Sequence, residues 1–235
     1  MNYKNLHFLK KGIFQNELLE YLNKKDGLIA IVFVSIYLIF FYLLTKCWFT
    51  PAMQNSHLAI FYPRIYLTSL LLLHQIPMIF LLCIVLRKAN HSISTIGFRQ
   101  RGLKSSILVG VILLSIYIYK YQRLNGFDFE MFYYLYYYLI NIGFEEEIVF
   151  RGYLWPRLVV LLGNFWGTTI ACVFFGLAHS IIPIILGIHS QGVGDWIGAG
   201  LVGHLFYAYI YTRNNNIMLP IFIHGFLDLP YTQSI

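Results

Sequence analysis

The feature that most limits what this chain can fold into is a succession of apolar stretches separated by short basic or turn-forming segments. A helix needs about 20 apolar residues to cross a hydrocarbon core of about 30 Å. Stretches approaching that length run from about Leu28 to Leu44, Ile65 to Leu86 and Ser106 to Tyr119, then from Met131 onward. Gly163-Asn164 marks a turn, and a fifth helix follows from about Phe165 to Ser180. A sixth spans about Trp196 to Thr212, and after the polar turn Arg213 to Asn216 a last helix runs from Ile217 to about Leu229. Only 11% of the 235 residues are charged, against about a quarter in a soluble domain. The expected fold is all-α, a polytopic transmembrane bundle of about six to eight helices.

Charge placement predicts orientation. Lys4, Lys10, Lys11, Lys24 and Lys25 precede the first span, and Arg87, Lys88, Arg99, Arg101 and Lys104 follow the second. By the positive-inside rule both groups lie in the cytoplasm, with the protein in the cell membrane and its N-terminus cytoplasmic. The net charge of +7 is therefore a topology signal. It follows no groove-like pattern, so no nucleic acid is expected, and the partners are membrane lipids and a hydrophobic or lipidated peptide. The organisation reads as a cytoplasmic lead-in over 1–26 with a candidate amphipathic surface helix, N-terminal transmembrane helices over 27–130, and a catalytic core over 131–235. Pro77 is an expected kink, and Gly194, Gly198, Ala199 and Gly203 have the small-residue spacing of close helix packing.

Ionisable groups inside spans are costly and are functional candidates by default. Glu146 and Glu147 stand with Arg151, which lies one turn beyond Glu147 and can pair with it. His179 ends an otherwise apolar helix, and His224 and Asp228 share one helical face. Counted from Gly163, Glu146 and His179 are 17 and 16 residues away, about 25 Å by contour at 1.5 Å per residue. A hairpin would set them side by side. His224 is closer to its own turn, so its convergence requires the fourth helix to kink or end early, for which Pro156 is the candidate. Glu145 reads as an incidental acid, His204, His74 and the other histidines as packing or edge residues, and Tyr133 to Tyr138 as an interfacial belt. A carboxylate beside an imidazole can activate water against an amide. Glu146, His179 and His224 would equally suit zinc or another divalent metal, so metal-dependent and metal-independent chemistry both stay open.

At these residues the chain resembles the CAAX-processing and bacteriocin-immunity (Abi) intramembrane proteases, whose pattern is EExxxR, then FxxxH, then HxxxN or HxxxD. Here these are Glu146-Glu147-Ile148-Val149-Phe150-Arg151, Phe175-Gly176-Leu177-Ala178-His179 and His224-Gly225-Phe226-Leu227-Asp228, within about Asn141 to Leu229. The resemblance implies an endopeptidase, glutamate- or metallo-type, in which Glu146 and His179 activate water, His224 and Asp228 serve the oxyanion, and Glu147 with Arg151 supports them. Asp228 stands where Asn is common, and an ionised Asp cannot donate. The expectation is that burial keeps it protonated, or that it orients His224 or helps hold a metal. Relatives cut after a prenylated cysteine or serve peptide-toxin immunity. A non-catalytic immunity or binding protein and a proton-coupled transporter are the two alternative readings.

Overall fold

A computed structural model describes residues 21–51 and 63–230. The described chain is all helix and turn, in six continuous helical runs. Helix α1 is Lys24–Leu44, prolonged by wide turns over Thr45–Phe49; α2 is Pro63–Lys88; α3 is Leu103–Asn125. The fourth run, Phe129–Ile185, breaks at Gly163, giving α4 (129–162) and α5 (164–185). Then come α6 (189–214) and α7, Met218–Leu227. Among the described residues, four runs are long and apolar enough to cross a membrane: Lys24–Phe49, Thr68–Lys88, Leu103–Asn125 and Phe129–Ile185. The chain is thus an all-α membrane bundle, and most of the N-terminal lead-in lies outside the described residues.

The expected sixth and seventh spans fall short of that standard. Helix α6 begins earlier than expected, with the polar segment His189–Asp195. Helix α7 is only 10 residues long, about 15 Å, or half a bilayer core. Pro77 lies within a single continuous helix α2.

The outward surface is as apolar as the interior. On α1, Leu28, Val32, Ile36 and Ile39 point outward at 44–59% exposure, while Ala30, Phe33, Val34 and Tyr37 are buried. That outer stripe suits lipid, where apolar surface costs nothing. Asn23 caps α1, accepting from the amides of Lys25 and Asp26, and Asp26 returns the contact at 2.8 Å.

Helices α4 and α5 form the expected hairpin. Gly163 has φ +79° and ψ 170°, a conformation that reverses the helix and favours glycine. Three contacts then climb away from the turn in step. The Trp155 Nε1–H donates to Thr168 Oγ1 at 2.9 Å, Phe150 meets Phe175 at 5.0 Å between ring centres, and Glu146 faces His179 at 3.6 Å. This is antiparallel register, and it brings Glu146 and His179 to one level, as the contour count predicted.

The sequence reading of how His224 reaches that level was wrong. The backbone stays helical through Trp155 (φ −58°, ψ −50°), so α4 neither kinks nor ends at Pro156. Instead α7 begins deep in the protein. The α2–α3 connection dips inward, burying Thr95 and Ile96, and Ile96 lies against Gly152 of α4. Gly97 then accepts from the Ile217 amide at 3.0 Å, and the Asn216 amide group donates to the Arg99 carbonyl. With α7 launched at the level of Gly152, seven further residues bring His224 alongside Glu147. Such non-helical backbone is tolerated at membrane depth because it is buried in protein and hydrogen-bonded.

Close backbone approach sets the other two contacts. A Cβ on Gly143 of α4 would lie 2.8 Å from the Ile221 carbonyl oxygen, and one on Gly225 would lie 2.8 Å from that of Tyr138. Each glycine lets α4 and α7 come nearer than any side chain allows. Of the expected small-residue stripe on α6, Gly203 meets α5, where its Cβ would lie 3.9 Å from the Phe175 ring. Gly194 and Gly198 face open space, and a close approach falls instead at Gly200, whose Cβ would lie 3.2 Å from the Cys172 carbonyl oxygen.

Candidate active site

Helix α4 is wound with wide turns over Tyr137–Phe144 and again over Glu147–Leu154. Wide i→i+5 turns shift which side chains share a face and recur at functional sites. Here they aim Glu145 toward α2, Glu146 toward α5, and Glu147 toward α7.

Glu147 and Arg151 have no exposed side-chain surface, and Glu147 Oε1 lies 3.0 Å from Arg151 Nη1. The same oxygen accepts from His224 Nδ1 at 2.7 Å. Arg151 also sits over the Phe175 ring, 3.7 Å from its centre. The expected Glu147–Arg151 pair is therefore present, and it extends into a chain, Arg151–Glu147–His224. The ring of His224 is pinned from its side by Tyr207, stacked at 4.3 Å and 17°.

His179 is oriented by its own helix. Its Nδ1 lies 3.0 Å from the Phe175 carbonyl oxygen. That oxygen can only accept, so Nδ1 carries the proton and Nε2 presents a lone pair. Nε2 faces Glu146 Oε2 at 3.6 Å, and His224 Nε2 faces the same oxygen at 3.8 Å. Both intervals exceed a direct hydrogen bond. Glu146 and His179 are partly exposed, at 18% and 26% of their side chains, whereas the supporting residues are sealed. Glu146, His179, Asn141 and Tyr137 line a cavity of about 220 Å³ together with Tyr37, His74 and Glu145. A larger cleft of about 430 Å³, between α5 and α6, contains no acid or histidine and lies apart from this chemistry.

One expectation needs correcting. Asp228 is 40% exposed and not buried as expected, and its Oδ2 stands 3.4 Å from His224 Nε2. Glu145, read from the sequence as incidental to catalysis, has a defined buried setting. It is 3% exposed, 3.3 Å from His74 Nδ1, and shares the cavity with Glu146. His74 in turn faces the Tyr37 carbonyl oxygen through Nε2 at 3.0 Å, so that nitrogen bears the proton. The signal for this pair was present, since His74-Gln75 places two polar side chains in the middle of a span. Tyr207 carried no such signal. His204 does pack as expected, fully buried between Trp155 and Phe175.

As arranged, no group of three or more His, Cys, Asp or Glu side chains among the described residues forms a metal-holding set. His224 commits Nδ1 to Glu147 and turns Nε2 between two carboxylates.

A sequence family described as type II CAAX prenyl endopeptidase Rce1-like matches residues 128–230. That interval contains Glu146, Glu147, Arg151, His179, His224 and Asp228. Neither the curated proteins nor the solved structures compared with the chain give a match.

Proposed function

Because the chain carries, over residues 128–230, the pattern of the Rce1-like type II CAAX prenyl endopeptidases, we propose that it hydrolyses peptide bonds of lipidated or hydrophobic peptides at the cell membrane, by water activated without a metal. The observation that supports this reading is the common focus of Glu146 Oε2, the lone pair of His179 Nε2 and His224 Nε2. A water donating its two hydrogens to Glu146 and His179 turns its own lone pair toward the cavity. One of the two hydrogens passes as a proton to the Glu146 carboxylate as the water oxygen bonds to the carbonyl carbon, and Glu146 returns it to the amide nitrogen as the C–N bond breaks. His224, whose Nε2 stands 3.8 Å from the same Glu146 oxygen, donates Nε2–H to the developing oxyanion. With Nδ1–H held by Glu147, that role uses the doubly protonated ring, whose charge is balanced by Glu146, Glu147 and Asp228. Asp228 acts as a positioning residue. The N-terminus is cytoplasmic in this reading, by the lysines that precede α1.

The test is cleavage of a farnesylated peptide, and of its unmodified counterpart, by the purified protein in lipid nanodiscs. Cleavage that disappears with Glu146→Gln and with His179→Ala supports the hydrolase. Protection of cells from a peptide toxin by a Glu146→Gln variant that cleaves nothing would instead favour the binding protein.

A further inference from the structure

We infer that the Asn141 side-chain amide binds a main-chain amide of the substrate and so selects which peptide bond lies at Glu146, an inference that rests on the hydrolase reading above. Asn141 is 1% exposed and lines the cavity that holds Glu146 and His179. Neither its Oδ1 nor its Nδ2 has a hydrogen-bond partner among the described residues. A buried carboxamide without partners is disfavoured, and such groups are rare in folded proteins. Its main chain, by contrast, is fixed: the Asn141 carbonyl accepts from the Gln75 amide of α2, a residue that is itself buried. The residue thus belongs to the wall of the cavity, its backbone held by Gln75, while both of its buried polar side-chain atoms lack a partner among the described residues.

The chemistry that satisfies this group is narrow. A carboxamide offers one acceptor and a donor side by side. An extended peptide presents an N–H and a C=O of one residue on the same edge, the complementary pair. A lipid chain offers neither, and a carboxylate ligand would meet Glu145 and Glu146 in the same cavity. Asn141 precedes Glu146 by five residues, and Tyr137–Phe144 is wound with i→i+5 turns, so the two sit one wide turn apart on one face. A peptide paired with Asn141 therefore runs along α4 toward the water held by Glu146 and His179. The recognition is independent of side-chain identity, as main-chain pairing is in β-augmentation.

The test uses a farnesylated peptide and a set of analogues in which single amides flanking the scissile bond are replaced by esters. These are assayed with the full chain in nanodiscs. One ester position should lower wild-type kcat/KM by about 10- to 100-fold, the loss that follows when a buried polar group is left unpaired. Asn141→Leu, already without the pairing, should cleave the parent peptide that much more slowly and be indifferent to the same ester. Asn141→Ala, which keeps the helix's own hydrogen bonds, gives an independent reading if the leucine variant does not fold. Equal sensitivity of wild type and either variant at every position would overturn the inference while leaving the hydrolase reading intact. Failure of wild type to cleave any of these peptides would overturn both.

Discussion

Replacing Arg151 by methionine tests the buried chain that holds His224. The guanidinium is wholly enclosed, 3.0 Å from Glu147 Oε1 and 3.7 Å above the Phe175 ring. Without it, Glu147 keeps a carboxylate in the interior with His224, at 2.7 Å, as its remaining partner among the contacts described here. Breaking a buried ion pair from one side costs about 3–5 kcal/mol, and the lost cation–π contact adds about 0.5–2 kcal/mol. At about 2–4 °C per kcal/mol for a chain of this size, Tm should fall by about 7–28 °C. Thermal unfolding in detergent, followed by circular dichroism, reads this directly. Removing the partner charge as well, in Arg151→Met with Glu147→Gln, should recover at least about 2 kcal/mol relative to the sum of the single losses. Cleavage should not recover, because the carboxylate that fixes the His224 ring is gone. A double variant whose loss equals the sum of the single ones would refute the coupling, and with it the claim that Arg151 acts through Glu147.

Gly225→Ala should lower kcat by about 10- to 100-fold, because its Cβ would lie 2.8 Å from the Tyr138 carbonyl oxygen and push His224 out of register; Gly198→Ala, facing open space, should leave turnover unchanged. Near one end of the bundle, burial and the Arg157 guanidinium push the His91 imidazole below its ordinary value despite Asp26 nearby. The unfolded chain therefore binds that proton more readily, so stability is full above about pH 6.5 and declines as pH falls through that value toward the lower folded one. Thermal unfolding across pH 5–8 should show a decline on the acid side that His91→Gln flattens. Exhaustive treatment with a chelator should leave cleavage of the farnesylated peptide unchanged; loss that zinc restores would contradict a metal-free mechanism.

How much of this was legible beforehand depended on whether the information was local. The hairpin register was, because Gly163 punctuates an otherwise apolar run and helical rise fixes depth from a residue count. The Glu147–Arg151 pair was too, being set by spacing along one helix. What the sequence did not disclose is tertiary. The inward dip of Thr95 and Ile96 looks like a polar, basic loop, and only its contacts with Gly152 and Ile217 place it inside the bundle. The depth of α7 follows from that dip, so Pro156 was invoked for a task it does not perform. Glu145 looked incidental because the register from Arg151 favours Glu146 and Glu147. Its buried setting comes from His74, distant in sequence and 3.3 Å away. Burial was expected of Asp228 because it stands where a donating Asn is common, yet it lies at the end of α7 and is open.

The central claim is that Glu146 and His179, brought together by the α4–α5 hairpin, act on one water. A double-mutant cycle on kcat/KM for the farnesylated peptide, using Glu146→Gln, His179→Ala and both together, tests it most directly. Residues that act as a unit are strongly non-additive, so the double variant should be about as slow as the slower single one. Losses that multiply, each change slowing the reaction by the same factor whether or not the other is present, would contradict a shared water.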